Sequence, residues 1–596
     1  MDHRETDYTQ KFQFSTWRKV LPFARPYRTT MILLAVFMIA VAGVDIVMPL
    51  MTRYAVDTFI VPKNADGLGL FAIIYLSITL FQAVNVAIFI LFAGKVETGV
   101  SYGIRKAGFS KLQELSFSYY DHASVGWLMT RITSDTTKLS EIIAWGLVDL
   151  VWGGSLMIGI ATVMFIMHWK LTLLVLSVVP LLFWVSKKFQ VLILSSYREV
   201  RKTNSKITAS FNEGIMGAVT TKTLVRETDY LREFTHLTDK MYSSSFRAAV
   251  QSALYMPLVQ IASVMGAGLA IWFGGSGVIA GDISYGMLVM FLSYATFFFQ
   301  PVQEMARVFA ELQNAQAAAE RITSLIETDP EIRDHENTIQ LIPSSLRGDI
   351  RFDNVGFEYK QGQKILNNFN LDVEAGSSIA LVGETGGGKT SIISLVCRFY
   401  EPTSGKISID GQDYTLYPLQ WLQSHLGVVL QTPHLFSGTI MENIRYGKLT
   451  ATDEEVIRAA TQVQADAFIS QLADGYSTIV TEGGTNLSTG QKQLISLARA
   501  IIADPAILIM DEATSSVDTE TERLIQHAID KLVKGRTSFI IAHRLSTIRN
   551  ANRILVIEKG NITEDGNHDE LITLKGRYFQ LYTNQFQEEK TKEILK

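Results

Sequence analysis

Gly383-Glu384-Thr385-Gly386-Gly387-Gly388-Lys389-Thr390, followed about 120 residues later by Ile507-Leu508-Ile509-Met510-Asp511-Glu512, decides how the second half of this chain reads. The first run fits the phosphate-loop pattern G-x-x-x-x-G-K-[ST]. Its glycines let backbone N–H groups close around phosphate oxygens, Lys389 reaches toward the β- and γ-phosphates, and the Thr390 hydroxyl is a ligand for Mg²⁺. Ser378 to Val382 before it reads as a short buried strand, and Ser391 to Val396 after it as the start of a helix whose N-terminus adds positive potential. That strand–loop–helix context separates a nucleotide triphosphate site from a glycine-rich surface turn.

Outward from this stretch, the chain is too long for one hydrophobic core at 596 residues. Charged residues make up 19 %, below the ~25 % of an average soluble protein, and the shortage lies before residue 305. The net charge of −4 gives no reason to expect a nucleic-acid partner. A single cysteine, Cys397, excludes an intrachain disulfide and fits a reducing compartment. Asp2, Glu5 and Asp7, with no early apolar run, argue against a cleavable signal peptide.

The first half predicts six membrane spans. Gly67 to Gly94, Ala248 to Gly281 and Ile283 to Gln303 lack Asp, Glu, Lys and Arg over lengths that cross a hydrocarbon core. Leu150 to Met167 and Leu171 to Ser186 adjoin through His168, Trp169 and Lys170, as a helical hairpin with interfacial Trp and Lys would. Thr29 to Leu50 is broken by Asp45, which is expected to face the bundle interior or an aqueous cavity, with contact to a transported substrate as one of its readings. Arg4, Lys11, Arg18, Lys19, Arg25 and Arg28 precede the first span, and the 95–142 and 187–247 connections are also basic, so both termini are expected in the cytoplasm. Those connections are polar yet helix-periodic, as extensions of membrane helices would be.

From Gly348 onward short apolar strands alternate with helices, the pattern of an α/β domain with a largely parallel sheet. Its chemical groups follow in order. Tyr359 is placed to stack on a purine; Gln431 ends the apolar run Leu426 to Leu430, where it can meet Mg²⁺ or water. Asp511 is the metal-side carboxylate, Glu512 the group that polarises the attacking water, and His543 ends the run Ser538 to Ala542 near the γ-phosphate.

Leu487-Ser488-Thr489-Gly490-Gln491, between the phosphate loop and Asp511, resembles the signature motif of ATP-binding cassette proteins. With six spans ahead of one such cassette, the chain from about residue 17 to 584 resembles the half-transporters of the ATP-binding cassette exporter family, of the bacterial multidrug and lipid exporter type. Tyr119-Tyr120-Asp121 with Gly126 and Thr133-Ser134-Asp135 is similar to that family's first intracellular loop. Asn212-Glu213-Gly214-Ile215 with Lys222 and Glu227 is similar to the second, and Ser515-Ser516-Val517-Asp518 to its D-loop.

The resemblance implies a membrane α-helical bundle of six transmembrane helices with long cytoplasmic extensions, joined to an α/β P-loop nucleotide-binding domain. The expected division is a cytoplasmic segment over 1–28, a transmembrane domain over 29–325, a linker over 326–347, a cassette over 348–584 and a charged tail over 585–596. It further implies ATP and Mg²⁺, and two nucleotides sandwiched in a dimer, each between the phosphate loop with Ser391 of one chain and the signature of the other. A multi-pass protein of the cytoplasmic membrane, among lipid and with a small-molecule or lipid substrate, follows from the same family. Two positions depart from it: Gly387 stands where Ser is usual, and Thr489 where the signature has Gly. Intact Glu512 and His543 beside the altered signature favour a heterodimer with a second half-transporter over a homodimer. An ATP-gated channel or regulatory subunit, and an importer, are alternatives on the same scaffold. Tyr255, Met256, Met287, Met290, Phe291, Tyr294, Phe297 and Phe298 are aromatic or Met residues of the last two spans, suited to an adaptable apolar cavity or to helix packing.

Overall fold

The computed structural model describes residues 13–584 except 335–337, 339–342, 344, 361, 512–518 and 542–544. The chain divides into two compact units, one of residues 1–114 and 123–328, the other of 115–122 and 329–596.

In the first unit the helices are α1 (Phe14–Val20), α2 (Arg28–Ala55) and α3 (Leu68–Glu114), then, beyond the short α4 (Phe117–His122) of the second unit, α5 (Val125–Thr130), α6 (Thr136–Leu176), α7 (Val179–Met216), α8 (Ala218–Thr223), α9 (Glu227–Ala280), α10 (Tyr285–Phe297) and α11 (Gln300–Glu327). Six of the described helical segments are long and apolar enough to cross a membrane: Arg25–Ile60, Leu68–Glu114, Val125–Leu176, Val179–Met216, Glu227–Ala280 and Tyr285–Glu327. Several run well past the roughly 20 residues that a bilayer needs, α3 with 47 and α9 with 54, so the polar connections read in the sequence are helix.

The break expected between Met167 and Leu171 falls at His168, whose backbone is non-helical at φ −162°. His168 starts the next turn, with Nδ1 accepting from Leu171 N at 3.1 Å and its carbonyl accepting from Thr172 Oγ1 at 3.0 Å. A second break at Ser177–Val178 was not expected; Pro180, in the first turn of α7, lacks the N–H a continuous helix would use. Pro301 does the same at the start of α11. At the far end of α9, Gly281 closes the helix at φ +83°, and the Ser284 side chain caps α10 by accepting from Met287 N.

Asp45 is tied into the bundle. Its carboxylate accepts from Gln82 Nε2 of α3 at 3.1 Å and from Trp152 Nε1 of α6 at 3.0 Å. Three helices thus share one acid, and an acid among apolar helices is held where such donors satisfy it. Of the residues suited to a cavity, Met290, Phe291 and Tyr294 are fully buried, and the Tyr294 hydroxyl donates to Ile46 O at 2.6 Å. These three serve helix packing; the side chain of Met256 lies outside the described residues.

Nothing local in the sequence announces the partner of Asp135. Asp135, 1 % exposed, accepts two bonds of 2.6 Å from Nε and Nη2 of Arg321 on α11. The bidentate fork fixes both direction and distance between α11 and the start of α6. Nearby, the Trp17 indole of α1 donates to Gln316 Oε1 of α11 at 2.7 Å.

Among its described residues the second unit carries twelve strands. β1 (Ile350–Glu358), β2 (Lys364–Val373), β4 (Ser404–Ile409) and β5 (Gln412–Asp413) form an antiparallel sheet in the order β2-β1-β4-β5. β3 (Ser378–Val382), β6 (Leu426–Val429), β9 (Ile507–Asp511), β10 (Thr537–Ile541), β11 (Arg553–Glu558) and β12 (Asn561–Gly566) form the larger sheet in the order β12-β11-β3-β10-β9-β6. β7 (Gly438–Thr439) and β8 (Ile479–Val480) pair separately. The helices here are α12 (Lys389–Val396), α13 (Leu419–Ser424), α14 (Ile440–Arg445), α15 (Asp453–Gln462), α16 (Asp466–Ile469), α17 (Thr489–Ala503), α18 (Thr519–Val533), α19 (Leu545–Asn550) and α20 (His568–Leu574). Every residue of β3 and β10 is buried, as expected of parallel strands covered on both faces.

Asp135→Ala leaves a guanidinium against a buried surface without its acid, and is expected to cost about 3 kcal/mol of stability. A lowered thermal midpoint of the detergent-solubilised chain would register it. The exchange Asp135→Arg with Arg321→Asp should recover part of the loss.

Candidate functional site

The site is assembled by parallel strand pairing. Leu381 of β3 lies beside Ile541 of β10, Ile541 beside Asp511 of β9, and Met510 beside Val429 of β6. All four strands therefore end at one edge, where α/β sheets hold ligands.

From β3 the chain enters the phosphate loop. Gly383, Gly386 and Gly388 take φ of +144°, +83° and +108°, a region L side chains rarely adopt. A Cβ on Gly383 would also lie 2.2 Å from Ile557 O. Gly387 has an ordinary φ, but a Cβ there would approach Ile557 O to 2.9 Å, so Gly rather than Ser fits this particular loop. Glu384, Thr385 and Gly386 are exposed, Gly387 and Gly388 buried. Lys389 is 7 % exposed and its Nζ donates to Gly383 O at 2.7 Å and Glu384 O at 2.8 Å. Burial pulls its ammonium pKa down and the charge of Asp511 acts against that. A buried cation on loop carbonyls, at the head of α12 and in the field of an acid, fits a polyphosphate chelating a metal.

The residues read from the sequence as metal ligands lie at the same edge. Thr390 is exposed in the first turn of α12, Asp511 is half-buried at the end of β9, and Gln431 is exposed two residues past β6. The strand expected to reach Leu430 stops at Val429, which sets Gln431 on a loop instead of at the strand terminus. Glu512, His543 and the run Ser515 to Asp518 lie outside the described residues.

Tyr359 follows β1 directly. Its hydroxyl is 3.1 Å from Ser391 Oγ in α12, and its ring meets Tyr400 edge-on at 5.0 Å and Phe357 at 4.7 Å. Loop and aromatic ring, distant in sequence, are thereby adjacent. Three contacts join the site to residues that no motif signals: Arg577 pairs with Glu384 of the loop and, through Nε at 2.6 Å, with Glu558 of β11; Tyr400 donates to Asp121 of α4.

Leu487, Ser488, Thr489, Gly490 and Gln491 stand elsewhere. Ser488 caps α17, accepting from Gln491 N at 3.2 Å while Gln491 Oε1 accepts from Ser488 N at 2.9 Å. Leu487 and Gly490 are buried, Ser488 and Thr489 exposed. Thr489 is the first residue of α17 and has no positive φ, so its β-branched side chain fits without backbone strain. The helix packs on β6, α14, α15 and α18. β10 and β9 stand between β6 and β3, a separation of roughly 14 Å at the usual strand spacing. One cassette thus presents a phosphate loop and a signature as two separate surfaces.

Comparison with known proteins agrees with this geometry. The family model for the ABC transporter transmembrane region matches residues 31–302, and that for the ABC transporter matches 366–515. The chain is 37 % identical over 578 residues to a Bacillus subtilis protein named "Uncharacterized ABC transporter ATP-binding protein YknV", covering 96 % of this chain and 95 % of that one. It is 38 % identical to the B. subtilis "Probable multidrug resistance ABC transporter ATP-binding/permease protein YheH", over 80 % of this chain and 71 % of the relative. It is 33 % identical to an "ATP-dependent lipid A-core flippase" of Desulfotalea psychrophila, over 94 % and 97 % of the two. The chain belongs to the ATP-binding cassette transporter family, as an exporter-type half-transporter that fuses membrane region and ATP-hydrolysing cassette.

Lys389→Ala is expected to abolish ATP turnover at this chain's own phosphate loop while the chain keeps its fold, since the ammonium contacts loop carbonyls and not the apolar core. ATPase assay of the purified complex, beside a thermal melt, reads both.

Proposed function

We propose that this chain is one half of a dimeric, ATP-driven exporter that moves amphipathic or hydrophobic compounds, drugs or lipids, across the cytoplasmic membrane. The cassette and both termini face the cytoplasm. The observation that carries the reading is the separation, within one cassette, of the loop at β3 from Ser488 at the head of α17. A second chain's signature supplies what each phosphate loop lacks. Basic residues before the first span and in the 95–142 and 187–247 connections support the orientation. The printed names of relatives, a multidrug resistance transporter and lipid A-core flippases, support the substrate class.

Bound with Mg²⁺, ATP supplies a γ-phosphoryl group whose transfer to water releases the driving free energy. The loop amides of residues 383–390 and the Lys389 ammonium neutralise the phosphates, and Ser391 steadies the loop's helix. The Tyr359 ring stacks on the base. Thr390, Gln431 and Asp511 hold the metal. Glu512 takes the proton of the attacking water, and His543 hydrogen-bonds the γ-phosphate. The partner's signature serine, with the amides at the N-terminus of the helix it begins, closes the opposite side. Because these contacts coexist only when two cassettes meet, the closed pair is favoured, and the spans exchange access as it forms and is released.

The partner is a second half-transporter: Glu512 and His543 are intact, and Thr489 replaces a signature glycine. Glu512 then works opposite the partner's signature, while Thr489 flanks the partner's weaker site.

Glu512→Gln is expected to slow hydrolysis by on the order of 10²–10⁴ while ATP binding survives, so that nucleotide accumulates on a closed complex; weakened binding with unchanged turnover contradicts the role. Thr489→Gly should alter turnover little in the heterodimer. A severalfold rise, roughly 1 kcal/mol of barrier, would place Thr489 at a working site and favour a homodimer.

A further inference from the structure

The short helix α4 is built into the second unit, although its flanking residues Glu114 and Ala123 belong to the first. Phe117 stacks on Phe399 with centroids 4.1 Å apart, Ser118 donates to Glu331 at 2.5 Å, and the Ser116 hydroxyl accepts from Ile332 N at 2.9 Å. These contacts seat the helix. Asp121 does something different: it accepts from the hydroxyl of Tyr400. Tyr400 follows α12 and its partner Phe399, and its ring edge packs against Tyr359 at 5.0 Å and Phe357 at 5.6 Å. Tyr359 in turn has its hydroxyl 3.1 Å from Ser391 Oγ of α12. A chain of contacts therefore runs Asp121, Tyr400, Tyr359, Ser391, from the intracellular-loop helix to the phosphate-loop helix.

We propose that Tyr400 is a positioning residue for the nucleotide base: its ring sets the plane of Tyr359, and its hydroxyl, held by Asp121, makes that plane depend on whether α4 is seated. The inference rests on the reading of Tyr359 as the base-stacking ring. An aromatic pair at this distance prefers edge-to-face geometry, so turning one ring turns the other. Linkage then works in both directions: seating α4 strengthens base binding, and base binding strengthens the seat of α4 by the same factor. None of these contacts involves the Lys389 ammonium, which is held by Gly383 O and Glu384 O. Burial and the Asp121 hydrogen bond both raise the Tyr400 pKa, so the hydroxyl stays a donor across physiological pH.

The test uses the full-length chain, with its partner half-transporter, in nanodiscs. Affinity is measured for the β,γ-imido analogue of ATP and for inorganic tripolyphosphate, which lacks a base. Asp121→Ala and Tyr400→Phe should each weaken the ATP analogue about five-fold, the low end of coupling between sites. The double variant should be no weaker than either alone, and tripolyphosphate should bind as before. Asp121→Asn, which keeps an acceptor for the hydroxyl, should restore affinity, and Tyr400→Ala should lose more than Tyr400→Phe. Unchanged analogue affinity in Asp121→Ala, additive losses in the double variant, or an equal loss for tripolyphosphate would overturn the proposal. If Tyr359→Ala binds the analogue as well as the parent does, the base-stacking reading itself is what fails; if only Asp121 and Tyr400 prove silent, that reading stands and the link to α4 falls.

Discussion

Parallel pairing of β3, β10, β9 and β6 is the constraint on which the rest of the cassette depends. Because parallel strands all end at the same edge, the loop after Val382, the carboxylate of Asp511 and the loop carrying Gln431 are gathered without any direct contact between them having to be encoded. The same pairing sets a limit. With β10 and β9 between β3 and β6, the helix that begins at Thr489 packs on β6, with two strands intervening before the one that feeds the phosphate loop. On the function proposed above, gathering one half of a nucleotide site and leaving the other apart are consequences of a single strand order.

Electrostatics then explains why this edge suits phosphate. Desolvating the Lys389 ammonium is unfavourable, and two carbonyls of its own loop are a poor substitute for water. Polyphosphate offers that cation a better partner, and the left-handed glycines hold the loop so that amides face the same place. Glycine takes these positive φ values without steric penalty, and the largely buried β3 and α12 hold the two ends of the loop. The membrane unit shows the same logic at Asp45 and Asp135, where an acid is kept inside only because Gln82 with Trp152, or Arg321, is aimed at it.

Much of this was legible in the sequence, for identifiable reasons. Six apolar runs, the phosphate loop and the signature are local patterns whose physics is local: helix length against bilayer thickness, glycine where φ is positive, Ser488 as a cap three residues before Gln491. The second break at Ser177–Val178 could have been read from Pro180, but an apolar run masks punctuation. Contacts spanning long separations were not legible at all. Asp135 with Arg321, Arg577 with Glu384 and Tyr400 with Asp121 each join a residue of a recognisable motif to a distant one that no motif marks, and only the fold brings them together. Thr489, where the family signature has Gly, occupies an ordinary first helical turn.

The central claim is that one chain carries two half-sites and no complete one. The most direct test is ATP turnover in nanodiscs sorted by stoichiometry, holding either a single chain or a pair of half-transporters. The account predicts turnover only from the paired particles, lost at the Glu512 site when the signature serine of the partner is replaced. Steady ATP hydrolysis by particles containing one chain alone would contradict it.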